Sequence, residues 1–259
     1  MMQHNPLMTT QLNKLYNENA LDVLLRLPEQ AIDLIFTDPP YSSGGTHATT
    51  RANSPSKKYI SSNKTEKYPD FDHDNKDQRS WTFWCVTWLS QAYRTMKNGG
   101  HLVCFIDWRQ LPALTDAVQY AGFIWRGIAV WDKTAGGTRP RMGGFKQQSE
   151  YMVWATKGHV PRRRSDGKTV YLPGVFSEHL ASNKKVHMTQ KPLGLAKEVM
   201  RLVAPGSVVL DPFAGSGTFL VAAQEAGHSW LGCEIEPTYY EIARQRLAGF
   251  FNSQEKIAA

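Results

Sequence analysis

A chain of 259 residues, 41% hydrophobic and 20% charged, is long enough to bury the core of one α/β domain. It holds no run of 18 apolar residues, and residues 1–10 lack a signal-peptide core, so no membrane association and a cytoplasmic location are expected. Three cysteines, Cys85, Cys104 and Cys233, stand in apolar stretches without metal-ligand spacing; this argues against a disulfide framework and points to no metal site.

The formal charge is +7, and it is unevenly placed. Residues 133–185 carry eleven Lys or Arg against three acids, Glu150, Asp166 and Glu178, while the remainder is close to neutral with 19 basic and 20 acidic residues. A surplus confined to one segment suits a phosphate-backbone contact surface, and equally a solvated basic loop.

In chain order, residues 31–36 read as an apolar strand that ends abruptly at Asp38-Pro39-Pro40-Tyr41. Residues 42–80 are polar and aperiodic, with seven basic and five acidic side chains; a loop this long inside a compact domain is functional or disordered. A helix is expected over 81–97, stopped by Asn98-Gly99-Gly100, then a strand at 101–106 and a helix at 111–120 closed by Gly122. Strands follow at 123–131 and 151–155, with a Gly-, Arg- and Lys-rich stretch between them and a basic one after. Pro192 opens a helix to Val203, whose Leu195, Val199, Leu202 and Val203 share one face. A strand at 207–210, a glycine loop, a helix to about 226, a strand at 230–233 and a helix over 237–251 complete the chain. Alternating strands and helices predict an α/β fold with a doubly wound, mostly parallel sheet, forming one domain over 1–259.

The run Val208 to Thr218 reads strand, glycine turn, helix start. Gly215 and Gly217 let backbone approach a ligand closely, and Glu234, at the end of the next strand, suits the two hydroxyls of a ribose. Leu220 stands where a dinucleotide fingerprint needs its third glycine, and no Gly-Lys-Ser/Thr follows, so neither a dinucleotide nor a phosphate loop fits. The residues alone leave a nucleotide and S-adenosylmethionine both open.

Thr37-Asp38-Pro39-Pro40-Tyr41 is the most specific signal. The exocyclic amine of a base is a poor nucleophile because its lone pair is delocalised into the ring. It needs two rigidly held acceptors for its two hydrogens, which the Asp38 carboxylate and the Pro39 carbonyl supply. Consecutive prolines fix φ and remove backbone donors, and the Tyr41 ring suits stacking on an extruded base. Cytosine-C5 methylation needs a cysteine nucleophile, typically after proline, whereas the cysteines here follow Trp84, Val103 and Gly232.

Asp38-Pro39-Pro40-Tyr41 followed by Asp211-Pro212-Phe213-Ala214-Gly215-Ser216-Gly217 resembles the amino-methyltransferases of DNA. The catalytic motif precedes the cofactor motif, and His187-Met188-Thr189-Gln190-Lys191-Pro192 resembles a cofactor-flanking motif, so the order is similar to the beta group. The resemblance implies the S-adenosylmethionine-dependent methyltransferase (Rossmann-like) fold with circularly permuted motif order. It implies that Asp211, Phe213, Gly215 and Gly217 line the methionine part of the cofactor, with Asp38 at the same site. Thr218 and Lys191 would position the cofactor carboxylate, Glu234 the ribose and Ile235 the adenine ring. Asn19 stands where the family places an Asp against adenine. Asp rather than Ser at position 38 resembles adenine-N6 enzymes more than cytosine-N4 enzymes.

The expected function is therefore site-specific, direct methyl transfer to adenine N6 of a flipped-out base in double-stranded DNA. Cytosine-N4 methylation, RNA methylation by the same site and a catalytically silent DNA-binding regulator are the alternatives. The 42–80 loop would lie over the catalytic site, and 133–186 would form a basic target-recognition insertion. Arg139, Arg141, Lys146, Arg162, Arg163, Arg164, Lys184 and Lys185 are the candidate DNA contacts. So short a recognition segment leaves room for a homodimer, and the family leaves room for a cognate restriction enzyme.

Overall fold

The computed structural model describes residues 12–42, 76–134, 143–162, 164–179 and 191–258, with side chains described up to 249. The elements are β1 (Lys14–Tyr16), α1 (Ala20–Arg26), β2 (Ile32–Thr37), α2 (Gln78–Thr95), β3 (Met96–Ile106), α3 (Leu111–Tyr120) and β4 (Ile124–Asp132). They continue with β5 (Ser149–Thr156), β6 (Val175–Ser177), α4 (Leu193–Met200), β7 (Val208–Asp211), α5 (Thr218–Glu225), β8 (Ser229–Cys233) and α6 (Pro237–Ala258). The strands form one sheet in the order β1-β8-β7-β2-β3-β5-β4-β6. Every pairing is parallel except those of β5 with β3 and β4.

A central parallel strand must be apolar on both faces. β2 satisfies this with Ile35 turned to one core and Leu34 and Phe36 to the other. The first core packs α1, α2 and α3 through Leu24, Trp81, Trp88, Leu89 and Leu114. The second packs α4, α5 and α6 through Val199, Met200, Phe219, Leu220 and Leu247. The expected doubly wound, mostly parallel sheet is thus what forms.

Asp77 caps α2 by accepting from the amides of Arg79 and Ser80, both at 3.0 Å, which satisfies two of the donors left open at a helix start. Gln78 to Ser80 therefore belong to this helix rather than to the polar loop. The expected helix stop at Asn98-Gly99-Gly100 is corrected: α2 ends at Thr95, and these residues lie inside β3. Gly100 serves close approach there, since a Cβ would meet the Met96 side chain at 2.6 Å and the Lys97 carbonyl at 2.9 Å. The real stop is a cation. Lys157 Nζ donates to the carbonyls of Tyr93 at 2.8 Å and Met96 at 2.9 Å, at the negative end of the helix. The stretch 133–186 contributes β5, close to the strand expected at 151–155, and β6 to the sheet.

The chain leaves β2 towards α2 on one face and leaves β7 towards α5 on the other. β2 and β7 are neighbours whose following helices lie on opposite faces, and the C-terminal edge at such a reversal forms the crevice in which open α/β sheets bind ligands. Among the described residues, no helix is long and apolar enough to cross a membrane.

Candidate active site

On one side of the crevice, β7 ends at Asp211 and turns through Gly215 (φ +51°) and Gly217 (φ +79°) into α5. Only glycine takes such angles cheaply, and at 217 a Cβ would also lie 3.0 Å from that of Ala243 on α6. Glu234, just past β8, holds this turn: one oxygen accepts from the Gly215 amide at 2.7 Å, the other from the Glu236 amide at 2.9 Å. Each carboxylate oxygen keeps a second lone pair for an outside donor. Burial raises the Glu234 carboxyl above its ordinary value, against the pull of those amides.

Two side chains that gave no sequence signal support the same turn. Arg246 on α6 donates to the Ser216 carbonyl, to Ser216 Oγ at 3.1 Å and to Thr218 Oγ1 at 3.2 Å. Asn17, beyond β1, donates to the carbonyls of Glu234 at 2.8 Å and Ile235 at 3.1 Å. Asn19, expected against a ligand, caps α1 by accepting from Leu21 N at 2.9 Å; it follows β1, beside the end of β8. Phe213 is packed by Trp84 and Trp88, with ring centroids 5.4 and 5.2 Å away.

Asp211 is wholly buried. Its Oδ1 accepts from Thr37 Oγ1 at 2.7 Å and from the Phe213 amide at 3.1 Å, while Oδ2 meets no partner among the described residues. Burial pushes this carboxyl up to about 8, outweighing the two hydrogen bonds. The Thr37 hydroxyl thereby ties the end of β2 directly to the end of β7.

On the other side, Asp38 follows β2 and both its oxygens have protein donors. Tyr41 OH donates to Oδ1, and Lys191 Nζ lies 2.6 Å from Oδ2. The turn is braced by Trp81, whose Nε1 donates to the Pro40 carbonyl at 2.8 Å. No donor meets the neighbouring Pro39 carbonyl among the described residues. Burial raises the Asp38 carboxyl despite the opposing charge of Lys191. Burial, then the charge of Asp38, holds the Tyr41 phenol protonated far above its ordinary range.

Lys191, expected to position the cofactor carboxylate, is paired in this structure with side chains of the catalytic side. Its side chain is 5% exposed, bridges Asp38 and Glu150 (3.1 Å to Oε2), and lies over the rings of Phe105 and Tyr41. Burial disfavours its charge, but the two carboxylates outweigh burial and hold it above the usual ammonium value. Glu150, which the sequence singles out only as an acid within a basic segment, also meets Lys133 Nζ at 2.5 Å. Burial alone would raise its carboxyl; Lys191 and Lys133 reverse that and hold it below the ordinary value.

Of the candidate DNA contacts, Lys146 and Arg162 are exposed, whereas Arg139, Arg141, Arg163, Lys184 and Lys185 lie outside the described residues, as do residues 187–190. Arg164 corrects the expectation of a basic surface triplet. Its side chain is 15% exposed, pairs with Asp166, and donates to the carbonyls of Arg201 at 2.7 Å and Val203 at 3.1 Å, beyond the end of α4.

A partly buried, oriented pair of acceptors, Asp38 and the Pro39 carbonyl, thus adjoins a glycine turn flanked by Asp211 and Glu234. That is the chemistry needed to hold an –NH₂ group beside a nucleoside-bearing donor. Known proteins agree. The type II methyltransferase M.HpaI of Haemophilus parainfluenzae is 26% identical over 94% of this chain and 77% of its own length. The solved complex of M1.HpyAVI with SAM superposes with a TM-score of 0.65 at 21% identity, covering 90% of this chain and 98% of that one. The PvuII DNA methyltransferase, cytosine-N4-specific, gives 0.66 at 18% identity over 92% and 87%. The family model described as DNA methylase (N6/N4 methyltransferases) matches residues 32–245, which takes in both sides of the crevice, and the chain belongs to that family.

Proposed function

We propose that the chain methylates adenine N6 in double-stranded DNA, using S-adenosylmethionine and acting on a base turned out of the helix. The observation that carries this reading is the acceptor pair at the end of β2, with Asp38 anchored by Tyr41 and Lys191 and the adjacent Pro39 carbonyl met by no donor among the described residues. The two acceptors take the two hydrogens of an exocyclic amine and turn its nitrogen towards the cofactor side of the crevice.

The residues fit the cofactor. The unpartnered Asp211 Oδ2 is a buried acceptor whose cost falls when a cationic donor meets it, and Glu234 keeps lone pairs for ribose hydroxyls. S-adenosylmethionine supplies an electron-poor methyl on a sulfonium whose bonding pair stays with sulfur as the methyl leaves. With that methyl accepted by the amine nitrogen's lone pair, Asp38 would take the proton the nitrogen sheds. No covalent bond to the enzyme is needed. Burial keeps Asp38 a better proton acceptor than a solvated carboxylate. Asp at position 38 is the feature that favours adenine. In the same reading the chain acts as one domain, residues 133–185 face DNA through Lys146 and Arg162, and a second copy of the chain and a restriction enzyme are its further partners.

Incubating the purified protein with tritiated S-adenosylmethionine and unmethylated genomic DNA, then analysing nucleosides by mass spectrometry, tests this. N6-methyldeoxyadenosine is the expected product. N4-methyldeoxycytidine would keep the chemistry and overturn the base, and no incorporation in the presence of cofactor binding would sink the proposal.

A further inference from the structure

The ion pairs around Lys191 are not explained by cofactor binding or by the acceptor role of Asp38. Lys191 faces two carboxylates, Asp38 Oδ2 at 2.6 Å and Glu150 Oε2 at 3.1 Å. Glu150 is in turn held by Lys133 at 2.5 Å. The four charges sum to zero in a largely buried site.

Glu150 arrives there through topology. β5 is antiparallel to its neighbours, so its N-terminal residues lie at the catalytic edge; Glu150 pairs with Trp131, two positions before Lys133. A carboxylate on a parallel strand's second residue would lie at the opposite edge.

The consequence is electrostatic. With Asp38 as its sole partner, a buried ammonium would form a tight pair and withdraw Oδ2 from any other donor. Shared with Glu150, the same ammonium fixes Asp38 in place while leaving it electron-rich. We infer that Glu150 is a positioning residue for methyl transfer, which, by sharing Lys191, sets both the orientation and the basicity of Asp38. This inference rests on the function proposed above.

The other titratable groups around Asp38 are Tyr41 on its own turn, Asp211 on β7 and Cys104 on β3. Tyr41 and Cys104 are held protonated far above neutrality, and the titration of Asp211 near 8 acts on cofactor binding, so with cofactor saturating the acid limb of kcat belongs to Asp38. Removing the negative charge of Glu150 leaves Lys191 to Asp38 alone and lowers the basicity of Asp38; the sign of the effect is therefore fixed.

The test is Glu150→Gln, which keeps shape and removes charge. We expect kcat to fall about tenfold or more while cofactor Kd stays within about twofold, and the acid limb of kcat to move to lower pH. Glu150→Asp should recover part of the loss. In a Lys191→Met background, Glu150→Gln should add nothing, because the effect passes through Lys191. An unmoved acid limb, or an additive loss in the double variant, overturns the inference. The Asp38 carboxyl, followed by carbon-13 NMR and assigned with Asp38→Asn, supplies a readout independent of turnover. Its midpoint must move to lower pH in Glu150→Gln, and a fixed midpoint overturns the inference even if the variant is slow. A wild-type protein that methylates no DNA would instead refute the proposed function, while the NMR midpoint still decides the role of Glu150.

Discussion

The two sides of the crevice are built by different means. Around β7 and β8 the turn and its acid, Asp211 to Glu234, come from one short stretch of chain and are held mainly through backbone: Glu234 on the Gly215 and Glu236 amides, and Asn17, from beyond β1, on two carbonyls. Around β2 the parts come from four separate places, Asp38, Lys133, Glu150 and Lys191, and are held by side-chain charge. A backbone-held turn tolerates changes in its neighbours, whereas a buried charge set loses its balance when any member is removed. The cofactor side should therefore weaken by degrees, and the catalytic side should fail sharply.

The largest effect tests the sharp side. Asp38→Ala should lower kcat by about 10³-fold or more, the scale of losing a preorganised catalytic group, with cofactor affinity retained in calorimetry. Loss of cofactor binding in that variant would erase the division between the two sides.

Lys191→Met comes next, with kcat expected to fall about 100-fold and cofactor Kd to change less than threefold. The reverse pattern in steady-state kinetics would return Lys191 to the cofactor side. Glu234→Ala should weaken cofactor binding by about 1–3 kcal/mol, the scale of a charged hydrogen bond, without altering kcat at saturation. An unchanged dissociation constant would remove Glu234 from the site.

The smallest effects separate two arginines. Arg162→Ala should reduce the salt slope of DNA affinity by about 1 and leave the melting temperature alone. Arg164→Ala should leave the slope alone and cost about 1–3 kcal/mol in denaturant unfolding, because it strips the partner from two carbonyls. Equal salt effects from both would restore the basic triplet as a surface.

The same contrast explains what could be read from the sequence. The fold and the turn from Asp211 to Thr218 were legible because local rules govern them: apolar runs, glycines with positive φ, an acid at a strand end. Asp38-Pro39-Pro40-Tyr41 was legible for the same reason. The pairing of Lys191 with positions 38 and 150 was not legible because these partners are distant in sequence, and Glu150 reaches the catalytic edge only through the antiparallel course of β5. Glu150 was counted merely as a minus sign in a basic segment. Charge counting also overstated that segment: Lys133 pairs with Glu150, and Lys157 and Arg164 satisfy carbonyls at or near helix ends. The helix stop at Gly99-Gly100 was misread because glycine marks close packing inside a strand as readily as a helix end.

The unpartnered oxygen of Asp211 carries a thermodynamic consequence. With its carboxyl pushed up to about 8, Asp211 holds a proton at neutral pH when no ligand is bound. A cation brought against it favours the ionised form, so ligand binding and proton release become linked events. The sign follows: affinity rises with pH below about 8, by up to tenfold per unit, and levels off above it. Titration calorimetry in buffers of different ionisation enthalpy reads the released proton directly, and Asp211→Asn should abolish it. The site would then take up its cofactor more readily as the surroundings become more alkaline.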